Sequence, residues 1–190
     1  MAEAWFGTLT AFLGDKYGLR VEVGLSPRDV SAAVEYANLR NGTIQLSAVR
    51  SEEQQGFVLA HVFGHLVQYL DSDRYAPLIS KVETPPPIHF EPEDERAYLD
   101  YEMEAFGWGE VLMRACARVP AELFNRYRAF AAVDFRTYLS YLKTGVQTDP
   151  DSFQTMLRTE ARKPLAPMWD CAAMRLPGSL VTNDVSISVL

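Results

Sequence analysis

Apolar positions in the opening stretch EAWFGTLTAFLG (3–14) fall at helical spacing. Trp5, Phe6, Leu9, Phe12 and Leu13 make the stripe, and Gly14 stands near the expected stop. Leu19 to Val23 then alternates apolar and polar, as a short strand does. AVEYANLR-NG-TIQLS (33–47) reads as a hairpin: Asn41-Gly42 suits the positive φ of a type I′ turn, and β-branched Thr43 and Ile44 open the return strand. Ser51-Glu52-Glu53-Gln54 has the spacing of a capping box, which predicts a helix from there to about Leu70. That helix is apolar nearly all the way round and is expected to be buried on most faces. Pro77, Pro85, Pro86, Pro87 and Pro92 mark 71–93 as a crossing loop. A second long helix follows from Asp94 or Glu95 to about Arg118, acidic at its start as the helix dipole favours, and Pro120 ends it. Further helices are expected from 121 to about 143, stopped by Gly145, and after Thr148-Asp149-Pro150. Leu180 to Leu190 reads as a last strand. The pattern predicts one α+β domain over 1–190, with a core over about 1–118 and a helical C-terminal extension over about 119–190.

Composition narrows the function classes. The chain has 190 residues, 48% hydrophobic and 23% charged, which suits one folded core rather than disorder. Its net charge is −7, and no run of Lys or Arg makes a basic stripe, so nucleic acid is not an expected partner. The longest uncharged stretch, Gln54 to Leu70, is short for a membrane span and carries two histidines and three glutamines, so no membrane is expected either. Cys116 and Cys171 form no CxxC motif and read as packed, reduced thiols. With no signal-peptide pattern at the N-terminus, a cytoplasmic location is the expectation.

The candidate chemistry lies in the histidines. Of three in the chain, His61 and His65 stand four residues apart inside the buried helix, so both imidazoles project from one face and can reach one ion. Buried imidazoles need partners for their nitrogens, and backbone carbonyls or a metal would both serve. Gln68 lies on the same face, placed to orient a ligand or a substrate. On the second long helix Glu102 shares a face with Tyr98 and with Ala105, and a carboxylate beside a small residue suits a helix packed closely against the histidine helix. Glu104 is about 200° round the wheel from Glu102, so both cannot face one ion. Solvated surface is the other reading for any single Glu here, since 91–104 holds seven acidic residues. Glu102 is the expected third ligand. His89, in the proline-rich loop, is a further candidate as a fourth ligand or a lid residue.

Strand, NG hairpin, VLAHVFGH and then E-x-x-A-x-x-W-G-x-x-L-M, over roughly residues 8 to 114, resemble the ImmA/IrrE-type zincin metallopeptidases. In that family the first helix reads LAHELGH. The resemblance implies a zincin-like core: a small sheet packed on an HxxxH helix, with a second ligand helix. It also implies zinc held by His61, His65 and Glu102, with water in the open position. The family carries a glutamate directly after the first histidine, the general base of peptide hydrolysis. Here that residue is Val62, which can neither accept a proton nor polarise water.

Three functions follow as expectations. The first is a metal-dependent enzyme on this scaffold, turned to non-peptidase chemistry on a small molecule, with Tyr98 and Gln68 as the catalytic candidates. The second is an atypical zinc metallopeptidase acting on peptides, and the third a degenerate zincin serving as a binding or structural module. One divalent ion is expected, zinc first; iron(II), manganese or copper would suit two histidines and a carboxylate as well.

Overall fold

Ser51 and the left-handed glycines 18, 42 and 145 set the ends of several elements in the computed structural model. It describes residues 3–24, 35–38, 42–48, 50–82, 84–116, 119–163, 165, 169–180 and 186–189. These form the helices α1 (Glu3–Tyr17), α2 (Glu52–Gln68), α3 (Ala76–Val82), α4 (Pro92–Ala115), α5 (Ala121–Thr144) and α6 (Pro150–Glu160). The strands are β1 (Arg20–Gly24), β2 (Glu35–Asn38), β3 (Thr43–Ser47) and β4 (Ser186–Val189). The class is α+β and mostly helical. No helix among the described residues is long and apolar enough to cross a membrane. The chain divides into two compact units, one of Met1–Leu70, Trp108–Val119 and Cys171–Leu190, the other of Asp71–Gly107 and Pro120–Asp170.

In the first unit the strands run in the order β1-β3-β2-β4. β3 pairs in parallel with β1 and antiparallel with β2, and β4 closes the other edge antiparallel to β2. The hairpin strands pair, with Asn38 opposite Thr43, and the expected turn at Asn41-Gly42 falls partly outside the described residues. Gly42 does take a positive φ, 62°; Asn41 lies outside the described residues. Helix α1 runs three residues past the expected stop at Gly14. A helical glycine costs only about 1 kcal/mol relative to alanine. The residue that ends α1 is Gly18, whose left-handed backbone (φ 69°) lets its N–H reach Gly14 O at 3.0 Å.

Helix α2 starts on the capping box: Ser51 Oγ accepts from Gln54 N–H, and Gln54 Oε1 accepts from Ser51 N–H. Every residue from Gln54 to Gln68 is buried, as the apolar wheel predicts. The Gln55 amide donates to Ser47 O and Arg50 O and so ties the end of β3 to the start of α2. Rings of α1 pack on rings of α2, Trp5 on Phe57 and Tyr17 on Phe63, each pair 5.5 Å between centroids. Gly56 permits this, because a Cβ there would fall inside the buried Trp5 indole. Gly56→Ala is therefore expected to destabilise the fold. The helix-propensity gain of about 1 kcal/mol is outweighed by overpacking of about 1–3 kcal/mol against a ring that cannot swing away. A lower urea midpoint checks it.

In the second unit the segment expected as loop contains α3. Pro77 sits in its first turn, where the missing N–H is not needed and the fixed φ fits. For the same reason α4 begins at Pro92 itself, earlier than its acidic run suggests. Tyr75, Leu78, Ile88, Phe90, Tyr98, Tyr101, Leu139 and Leu142 form one buried cluster. Ile88 N–H donates to Leu142 O at 2.6 Å and fastens the proline segment to the end of α5. That helix closes at Gly145 (φ 71°), and α6 opens on Asp149, whose carboxylate accepts from Ser152 N–H at 2.9 Å.

Candidate metal centre

The four-residue spacing on α2 sets the two imidazoles edge to face, with centroids 4.4 Å apart and planes at 79°. Both rings are buried, His61 at 4% and His65 at 2% exposure. Their Nε2 atoms converge to 3.0 Å. Two imidazole lone pairs at that distance repel unless something positive lies between them. A proton shared between the rings satisfies this, and so does a metal ion. With Zn–N bonds near 2.0–2.1 Å in a tetrahedral shell, two ligating nitrogens stand about 3.3 Å apart, close to the observed separation. On the other side of the His65 ring, Nδ1 lies 2.9 Å from Gln68 Oε1, and Gln68 is itself buried.

Glu102, carried on α4, is 7% exposed. His61, His65 and Glu102 each offer one ligand atom, and these atoms all lie within 4.8 Å of one another. This buried group could hold a metal ion: it combines two neutral nitrogens with one anionic oxygen, a donor set suited to a divalent ion. Among the described residues it is the only such group of three or more. His89 is not part of it. That ring is exposed, and its Nε2 lies 2.9 Å from Glu91 Oε1.

Glu104 is engaged elsewhere, by Arg74 Nη1 at 3.2 Å and by the Tyr75 hydroxyl, as its opposite place on the helical wheel predicts. Burial and the Glu104 carboxylate together push the Tyr75 hydroxyl well above the ordinary tyrosine range. The acidic start of α4 is likewise taken up in ion pairs, Asp94 with Lys81 and Glu95 with Lys143. The hydrogen bond from Lys81 is the main cause that holds the Asp94 carboxyl below its usual range.

Tyr98, one turn before Glu102, is 1% exposed, and its ring stacks on Phe135 at 5.8 Å and 24°. Burial first, and then the Glu102 charge, raises its pKa well above the ordinary value. Glu102 is thus close enough to act on this hydroxyl, yet the hydroxyl oxygen makes no well-aligned hydrogen bond. A second phenol, Tyr138 on α5, is raised by the same two causes in the same order. Both stay protonated at any physiological pH. The electrostatic link between Tyr138 and Glu102 was not legible in the sequence. Tyr138 comes from a helix with no motif of its own, and its only signal is a shared helical face with Phe135 and Leu142.

Val62, directly after His61, is fully buried. Neither Cys116 nor Cys171 forms a disulfide among the described residues, and burial raises the Cys116 pKa to about 11, which disfavours its thiolate. No protein-family model, curated protein or solved structure matches this chain. The functional case therefore rests on the donor set itself.

Proposed function

We propose that this chain is a metal-dependent enzyme on an ImmA/IrrE-like zincin scaffold, holding one divalent ion, zinc first, on His61, His65 and Glu102. Its reaction is not the family's peptide hydrolysis but a step on a small molecule. The observation that carries this reading is the convergence of three buried ligand atoms within 4.8 Å, two nitrogens and one carboxylate oxygen. Three protein ligands leave a tetrahedral ion one position for water or substrate. Bound there, a zinc ion supplies Lewis acidity and a water acidified to a pKa of about 7.

The chain's own residues do the rest. Tyr98 brings a buried, neutral O–H beside the carboxylate, suited to donate a hydrogen bond or a proton to a substrate oxygen. Gln68 holds the His65 ring. Val62, buried next to His61, supplies no base, which argues against the standard proteolytic step.

The burial of all three ligands favours one second reading, a closed structural site in a degenerate zincin. Elemental analysis together with anion binding separates the two. The purified or zinc-reconstituted chain is expected to carry one ion, and its cobalt-substituted form should change its visible spectrum when azide enters the open position. A stoichiometric ion with a spectrum unmoved by azide would support the structural site. Failure to retain any divalent ion would remove both readings.

A further inference from the structure

We infer that Gln68 is a positioning residue that fixes the tautomer of His65, leaving the ring nitrogen that faces His61 free of its proton before any ion arrives. A neutral imidazole has one proton for two nitrogens, and what each nitrogen faces decides where it sits. His65 Nδ1 faces Gln68 Oε1 at 2.9 Å, and an amide oxygen can only accept, so the proton belongs on Nδ1. Nε2 then presents a lone pair, directed at His61 Nε2 3.0 Å away. In the ion-free chain the proton between the rings is accordingly the one on His61 Nε2, and an ion that enters takes that proton's place.

The acceptor has to be a side chain. Carbonyls in the middle of α2 are used within the helix, and the last turn is closed by Tyr69 N–H bonding to His65 O and Val67 O. Gln68 is the final residue of α2 and lies three residues after His65, where an i, i+3 side chain reaches the ring. It is 5% exposed, so water competes little for its amide oxygen. A neutral acceptor orients the ring without adding charge. A carboxylate in the same place would orient it equally and make it a more basic ligand.

The second half of this inference, a tighter grip on the ion, rests on the metal-site reading; the first half does not. Long-range proton–nitrogen NMR on the ion-free, histidine-labelled chain reads the tautomer directly. His65 is expected to carry its proton on Nδ1, against the preference of imidazole side chains in water for Nε2. Gln68→Leu should lose that signature and weaken zinc binding by roughly 10–100-fold, while Gln68→Glu should keep the signature and bind zinc at least as tightly as the parent. Far-ultraviolet circular dichroism of both variants verifies that they fold. If Gln68→Leu does not fold, the parent's tautomer and the Gln68→Glu affinity still decide the matter. A His65 proton on Nε2 in the parent would overturn the inference, since the amide would then be presenting its NH2. So would a folded Gln68→Leu chain with unchanged tautomer and affinity. An Nδ1 proton in a parent chain that binds no zinc would uphold the tautomer lock and sink the metal function instead.

Discussion

His65→Ala is expected to abolish stoichiometric metal binding, with zinc affinity lowered by well over the roughly 10–100-fold that loss of an outer-shell partner costs. The substitution deletes one of two converging nitrogens and also frees the Gln68 amide from its ring partner. His61→Ala and Glu102→Ala should behave alike, because each removes one member of the same three-atom group. Glu104→Ala is the matched control. It removes a carboxylate two residues from Glu102, but one committed to Arg74 and Tyr75, so metal content should barely move. Elemental analysis gives the stoichiometry, and thermal unfolding with and without zinc gives a second readout. An ion present at 100 times its dissociation constant stabilises the parent by about 2.7 kcal/mol, and a chain that cannot bind it gains nothing. Unchanged metal content in a folded His65→Ala chain would eliminate the site.

Half of the site was legible because it is local. The capping box at Ser51 fixes where α2 starts, and the four-residue spacing then puts His61 and His65 side by side whatever the rest of the chain does. The wheel of α4 likewise separates Glu102 from Glu104, and the structure buries the first and engages the second with Arg74. Facing is a property of one helix, whereas contact is a property of two. Tyr138 meets Tyr98, 6.2 Å between ring centroids, only through the packing of α5, so no spacing in the sequence marks it. The role of Gln68 also needed atoms: its face was readable, but not that its oxygen meets His65 Nδ1. The misread boundaries share one cause, glycine and proline taken as stops where their neighbours overrule them. Gly14 is carried through α1, and Pro77 and Pro92 fit first turns where no N–H is required.

The largest gain of function is expected from Val62→Glu. In zincins the residue after the first histidine takes a proton from the attacking water, a contribution of about 10²–10⁴ in rate. Here a fully buried valine occupies that place next to His61. If this chain is a zincin that lost only its base, restoring the carboxylate should raise hydrolysis of unstructured peptides by at least roughly 100-fold in the zinc-loaded form. The same substitution in a His65→Ala background should stay inert, which ties any gain to the ion. The opposing term is desolvation, because an ionised carboxylate buried without a partner costs several kcal/mol. A glutamate facing the ion's open position escapes most of that cost, and one facing the apolar core does not. The stability of Val62→Glu therefore reports the geometry independently of catalysis. With zinc bound, a modest loss places the carboxylate on the metal side, whereas unfolding places position 62 in the core. A stable, zinc-loaded Val62→Glu chain without peptidase activity would mean that more than the base has changed, and that the substrate cleft, as well as the proton acceptor, departs from the peptidase plan.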